Sequence, residues 1–238
     1  MYDRSLRKKV EFIDGGYADI FVTDKSVDAK SPEDMKKICA DLNFNYDKFT
    51  DCIQIHSDKI VDVKNENTGQ REEADALITV VKDVPLAIYT ADCVPIVIVD
   101  RRKKVVADIH AGWRGTHAKI TTKTVDKMVS EYGCSTEDMF CFIGPSIGRC
   151  CYEVSEELIN KFNTIITKEN LKFYIIEKER YYLDLWEINK YFLKETGISD
   201  ENIECCNLCT SCNNDRFFSY RKDNKTEKRI GTMVQIKF

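Results

Sequence analysis

Leu86–His110 reads LAIYTADCVPIVIVDRRKKVVADIH, and its pattern decides the fold. Three runs dominated by β-branched and apolar residues, Leu86–Thr90, Pro95–Asp100 and Lys104–His110, are separated only by Ala91–Val94 and by the basic Arg101–Lys103. Ala76–Val81 precedes them with the same composition. Apolar runs of this length between turn formers read as buried strands. Links this short join antiparallel neighbours, because a parallel crossover needs a dozen or more residues. The cluster ends on His110-Ala111-Gly112-Trp113-Arg114-Gly115, and a helix is predicted over Thr116–Tyr132. His110 therefore stands where a strand gives way to a helix, a common place for a ligand in α/β architecture. Gly112 and Gly115 let backbone amides approach a ligand, and amides at a helix start can hold an anion. A packed turn with a core histidine is the plainer reading of the same hexapeptide.

Outward from this cluster, Tyr17–Thr23 reads as a strand. Ser31-Pro32-Glu33-Asp34 is a helix start, with Ser as N-cap, Pro in the first turn and acids after it, for a helix running to about Asn43. Cys52–His56 and Lys59–Val63 alternate as short strands, and Phe140–Ile143 is a strand closed by Gly144-Pro145. Ser155–Phe162 reads as a short helix. Asp184 caps a helix over Leu185–Glu195 that stops at Gly197. Arg216–Tyr220 and Thr232–Phe238 read as closing strands. The expected architecture is α+β: mixed β-sheets with flanking helices in a single domain over residues 1–238.

The chain has 238 residues, 43% hydrophobic and 32% charged, enough to bury a core without disulfides. A net charge of −4 argues against a broad surface for a nucleic acid polymer. No apolar stretch approaches the roughly 20 residues of a membrane span, and the first nine residues lack a signal-type apolar run. The expectation is a cytoplasmic protein with no membrane partner. The eleven cysteines are odd in number and include adjacent pairs at 150–151 and 205–206. They read as reduced thiols, some of which could bind metal.

His56, Cys93 and His110 each fall at or near the expected C-terminal end of a strand. Two imidazoles and a thiolate suit zinc, and three protein ligands leave a fourth position for water. The same residues allow a metal-free reading, with Cys93 as nucleophile and His110 as its base. Two core histidines and a core thiol remain the bland alternative. Three histidines in the whole chain are too few for a trinuclear copper cluster, so this set could hold at most a single copper. Cys209-Thr210-Ser211-Cys212 is a C-x-x-C that could be half of a zinc ribbon, completed by Cys205 and Cys206 or by Cys150 and Cys151. No His-x-Glu occurs, so the nucleobase-deaminase signature is missing. Phe217-Phe218-Ser219-Tyr220-Arg221 places aromatics that could stack on a base beside a cation that could hold phosphate.

Six blocks, taken in order, resemble the YfiH-like family, known also as polyphenol oxidase or laccase-domain proteins. They are Gln54–His56, Glu73–Thr79, Thr90–Pro95, His110–Gly115, Gly144–Val154 and Cys209–Arg221. The resemblance covers roughly residues 50–238, with residues 1–48 as a divergent N-terminal part. It implies an α+β fold, shared distantly with cysteine-dependent deamidase toxins. It implies zinc held by His56, Cys93 and His110, with copper the less favoured ion. It also implies purine nucleoside phosphorylase activity on adenosine, inosine, guanosine and methylthioadenosine, with adenosine deaminase activity beside it. Two departures stand out. Phe21–Asp28 occupies the place of the family's Thr-Arg-x-Gly-Gly-Val-Ser, and Ser57 replaces the glycine that usually follows the first histidine.

Under this reading the partners are purine nucleosides and phosphate. Arg114 is the first choice for the phosphate and Arg221 the second. Asp92 and Asp75 are candidates to move protons, with Glu153 behind them. Phe218 or Tyr220 would stack on the base, and Gln54 and Ser219 complete the expected substrate contacts. A cysteine hydrolase using Cys93 and His110 is one alternative function, and a non-catalytic metal- or nucleotide-binding protein is another. Oligomeric state is left open.

Overall fold

The computed structural model describes residues 3–169 and 171–238. It opens with β1 (Lys8–Glu11), β2 (Tyr17–Val22) and α1 (Pro32–Leu42), followed by β3 (Ile60–Val63), β4 (Ala76–Thr79), β5 (Leu86–Thr90), β6 (Val94–Asp100) and β7 (Val105–Ala111). A one-turn α2 (Trp113–His117) leads into α3 (Ile120–Tyr132), β8 (Met139–Ile143), β9 (Glu153–Val154) and α4 (Glu156–Asn163). The chain closes with β10 (Tyr174–Glu177), β11 (Arg180–Leu183), α5 (Leu185–Glu195), β12 (Ile203–Cys205) and β13 (Ile230–Lys237).

Six strands form a mixed sheet in the order β12-β8-β6-β7-β4-β3, and four form an antiparallel sheet in the order β1-β2-β13-β5. A small sheet, β10-β11-β9, stands apart from both. Successive side chains of a strand point to opposite faces, and β6 shows what each face meets. Ile96 and Ile98 join a core with Ile120, Val125 and Met128 of α3 and Ile188 and Phe192 of α5. Val97 and Val99 join a different core with Ile88 of β5 and Val234 and Ile236 of β13. The outer face of the four-stranded sheet, with Phe21, Ala87 and Met233, packs on Met35, Ile38 and Leu42 of α1. The result is four layers: helices, six-stranded sheet, four-stranded sheet, helix. Both large sheets are covered on both faces, so β6 and β7 are buried at every position and are largely apolar, with Asp100, Asp108 and His110 as the polar exceptions.

The helix ends follow local chemistry. Ser31 caps α1 through Asp34 N, Ser155 caps α4 through Leu158 N, and Asp184 caps α5 through Glu187 N. Asn43 ends α1 in the left-handed region.

Four expectations from the sequence are corrected. Leu86–Thr90 is not a neighbour of Pro95–Asp100. The bend Ala91–Cys93, with Asp92 at φ 87°, carries the chain from one large sheet to the other, and β5 pairs with β13. The helix expected over Thr116–Tyr132 begins at Trp113 and is broken at Lys119, whose φ is 60°. Cys52–His56 makes only the single bridge Ile53–Glu73 and turns away at His56, whose φ is 58°, so it is not a strand. Arg216–Tyr220 is a series of turns. Its amides are taken by Asn213 O, for Arg216 and Phe217, and by the Asp223 carboxylate, for Ser219, leaving no ladder to join. Among the described residues no helix is long and apolar enough to cross a membrane.

Candidate metal centre

The antiparallel pairing of β7 between β4 and β6 brings His110 beside Pro95 and next to the residue that immediately precedes β4. That residue is Asp75. Its carbonyl accepts the His110 amide at 2.7 Å, and its carboxylate lies 2.7 Å from His110 Nδ1. A carboxylate at that nitrogen receives the ring N–H, which leaves Nε2 with its lone pair available to a metal. Asp75 also accepts the amides of Ile55, His56 and Ser57 and the Ser57 hydroxyl. One buried carboxylate thus fixes His110 and the loop that carries His56. The loop needs that support, because His56 sits at φ 58°, costly for a residue with a side chain.

Cys93 closes the bend that links the two large sheets. Asp92 holds this bend from inside: its carboxylate accepts the Thr210 hydroxyl at 2.7 Å and the Arg221 amide at 2.7 Å. Its carbonyl accepts the Ile147 amide at 2.9 Å. Cys93 Sγ lies 4.0 Å from His56 Nε2, and the two imidazole rings meet edge-on with centroids 4.8 Å apart. Ligand atoms of His56, Cys93 and His110 all lie within 4.8 Å of one another. Nitrogen and sulfur on one tetrahedral ion stand about 3.5 Å apart, given bonds of about 2.1 and 2.3 Å. Small rotations therefore suffice to close the set on a metal. Gly112 makes the approach possible: a Cβ there would lie 3.1 Å from Cys93 Sγ and 3.2 Å from His56 Cδ2.

The electrostatics suit a thiolate. Burial pushes the Cys93 thiol up, but the His110 charge and hydrogen bonds from His110 and His56 outweigh it and bring the thiol down to about 6. His110 is raised to about 9: burial lowers it, and the Cys93 thiolate and the Asp75 carboxylate raise it more. The donor set fits one zinc. It does not fit a multi-copper cluster, because the third histidine, His117, points to Lys161 O and the Phe162 ring instead.

These ligands line a pocket of about 570 Å³. Five cationic side chains border it, from Lys30, Arg71, Arg114, Arg221 and Arg229, against one carboxylate, Asp92. Among the described residues no carboxylate pairs with Arg114 or Arg221. Arg114 lies over the Trp113 ring at 4.4 Å and Arg221 over the Tyr152 ring at 5.2 Å. Arg221 also donates to Glu153 O.

Of the other residues singled out in the sequence, Tyr220 and Gln54 line the pocket. The Gln54 amide is engaged at both ends by the Tyr89 backbone, at 2.8 Å each. Asp75 does not line it. Glu153 pairs with Arg180 beside a neighbouring cleft. Phe218 and Ser219 are buried, Phe218 within the core between the sheets. Lys30, Arg71, Tyr89, Trp113, Tyr152 and Arg229 join the pocket without having been assigned a role from sequence. Tyr152 lies inside one of the six blocks, and Trp113 inside another. Lys30, Arg71 and Arg229 carry no local signal.

A model of the family described as multi-copper polyphenol oxidoreductase laccase matches residues 17–237. A purine nucleoside phosphorylase of Clostridium acetobutylicum is 35% identical over 183 residues, covering 76% of this chain and 74% of the relative. The chain spans 44% of the length of the mouse and human relatives of that name. The structure of the hypothetical protein YfiH of Bacillus licheniformis aligns over 92% of each chain, with a TM-score of 0.87 and 28% identity. YlmD from Geobacillus stearothermophilus aligns over 98% of each chain, with a TM-score of 0.87 and 25% identity.

Proposed function

The chain belongs to the YfiH-like family of laccase-domain proteins, and from that membership and its pocket we propose that it is a zinc-dependent purine nucleoside phosphorylase. The observation that carries this reading is a His-Cys-His set on the wall of a pocket bordered by several aromatic rings and by Arg114 and Arg221, which pair with no carboxylate among the described residues. The substrates would be adenosine, inosine, guanosine or methylthioadenosine, together with inorganic phosphate. His56, Cys93 and His110 would hold the zinc, which supplies a Lewis acid to the pocket.

In phosphorolysis a phosphate oxygen attacks C1′ of the ribose as the bond to the purine nitrogen breaks. Arg114 and Arg221 neutralise the phosphate and orient it. α2 has five residues, too short for its terminus to hold the anion, so this work falls to the guanidinium groups. Tyr152, Tyr220 and Trp113 offer ring faces to the purine. Asp75 acts through others, holding the His110 tautomer and the His56 loop. Asp92 is the only carboxylate among the described residues that line the pocket, and we retain it over Asp75 and Glu153 as proton carrier in adenosine deamination, a role that requires one of its oxygens to exchange the Thr210 hydroxyl or the Arg221 amide for substrate. Free thiols throughout the chain support a reducing, cytoplasmic location.

Purified protein given inosine and phosphate should release hypoxanthine and ribose 1-phosphate, with no hypoxanthine when phosphate is omitted. Zinc-loaded protein that turns over none of the four nucleosides refutes the phosphorylase reading. Ammonia release from adenosine, reduced in Asp92→Asn, tests the deaminase reading.

One arrangement favours a different chemistry. Cys93, His110 and Asp75 are ordered like nucleophile, base and orienting carboxylate, and the thiol is lowered. A cysteine hydrolase built on them would keep its activity in a chelator and lose it to iodoacetamide. The phosphorylase reading requires the opposite response to the chelator.

A further inference from the structure

The C-x-x-C at Cys209–Cys212 has no part in the pocket chemistry, yet the fold brings it to the adjacent pair Cys150–Cys151. Ligand sulfurs of all four lie within 4.8 Å of one another. Cys212 Sγ stands 3.5 Å from Cys150 Sγ and 3.4 Å from Cys151 Sγ. Sulfurs on a tetrahedral zinc, with Zn–S of about 2.3 Å, stand about 3.8 Å apart, so the two Cys212 separations fall a few tenths of an ångström short of that value and small side-chain rotations suffice to reach it. Cys205 and Cys206, the other pair the sequence offered, lie outside the group.

The backbone is arranged around these sulfurs. The loop after β8 and the loop after β12 are paired through the bridge Ser146–Cys209, with Ser146 N on Leu208 O and Thr210 N on Ser146 O. Cys209 is buried, whereas Cys150 and Cys212 are exposed, so an ion can enter from solvent.

We infer that Cys150, Cys151, Cys209 and Cys212 form a second metal site, a closed tetrathiolate for zinc, separate from the His-Cys-His centre. Binding replaces the thiol protons, which pass to solvent, and involves no redox step. Four protein ligands leave no open position, so its role is structural. It would clamp together the two loops that deliver Tyr152 and Arg221 to the pocket wall.

Native mass spectrometry of the full chain, purified under reducing conditions with zinc, tests this. The unaltered protein should carry two zinc ions. His56→Ala/Cys93→Ala/His110→Ala should keep one, and Cys209→Ser/Cys212→Ser should keep the other. Should the latter fail to fold, cobalt decides with the former, whose four clustered thiols are intact. Co²⁺ should give it the near-ultraviolet charge transfer and red d–d bands of a tetrathiolate. Absence of both zinc and these bands from His56→Ala/Cys93→Ala/His110→Ala overturns the inference. So does recovery of the four sulfurs as disulfides. Neither readout uses activity, so failure of the phosphorylase reading and failure of this one are distinguishable.

Discussion

Gly112 shows how tightly the candidate centre is drawn. A methyl group there would press on Cys93 Sγ and the His56 ring together, and both are ligand side chains. Gly112→Ala should therefore fold and yet lose most of its metal at this centre. Circular dichroism with zinc counting checks this, and full occupancy by His56, Cys93 and His110 would contradict it. Arg114 is exposed and its proposed task is to hold phosphate, so truncation should spare the fold. Arg114→Ala should raise KM for phosphate by about 10- to 100-fold, the size of one lost charge-assisted contact, and change KM for the nucleoside little. Steady-state kinetics with each substrate varied would show it, and an equal rise in both constants would remove Arg114 from the anion site. At this scale the three ligand types were legible in the sequence. The part played by Asp75 was not. As a residue type it suited proton transfer, but the structure sets it behind His110 with both oxygens engaged.

β7 carries the least comfortable side chain of the core. Asp108 lies between the two large sheets, and neither oxygen finds a well-formed partner. Burial raises its pKa well above 3.8, against weaker opposition from the Ile109 and Ile88 amides. A carboxyl raised in the fold binds its proton more tightly there than in the unfolded chain. Its contribution is complete below the unfolded pKa and is lost as pH climbs toward the folded one, at about 1.4 kcal/mol per pH unit. Asp108→Asn, which stays neutral, should match the wild type near pH 4 and exceed it increasingly as pH rises. Urea denaturation across pH measures this, and a stability difference that does not vary with pH would refute it. The β10–β11 hairpin was hidden from sequence reading for a related local reason. Its turn residues Lys178 and Glu179 sit at φ 48° and 64°, where the usual signal is Asn-Gly. Lys178→Asn/Glu179→Gly should raise stability by roughly 0.5–1 kcal/mol, visible as a higher denaturation midpoint, and a lower midpoint would show the turn to be held by something else. The helices with caps were legible nearly to the residue, because Ser31, Ser155 and Asp184 act on amides three residues away. Arg216–Tyr220 misled because its apolar side chains enter the core from turns.

Across the whole molecule the first strands are structural rather than decorative. β2 pairs along most of β13, and Ile20 and Val22 stand in the core between the sheets. Removing residues 1–23 would uncover that core and leave β13 as an open edge, so the truncated chain should be insoluble or unfolded. Soluble expression with a cooperative thermal transition would contradict this. The sequence by itself determined the buried runs, the capped helices, the mixed α+β class and the residue types of a His-Cys-His centre. These depend on propensity, periodicity and near-neighbour hydrogen bonds, which act over a few residues. Only the tertiary structure decided that Leu86–Thr90 crosses to a second sheet and that Asp75 orients His110. It alone decided that Arg71 and Arg229 share a pocket with Arg114, and that Cys150–Cys151 rather than Cys205–Cys206 meets Cys209–Cys212. Those contacts join segments far apart in the chain. Their partners are chosen by which layers bury apolar surface against each other, and no local pattern encodes that choice.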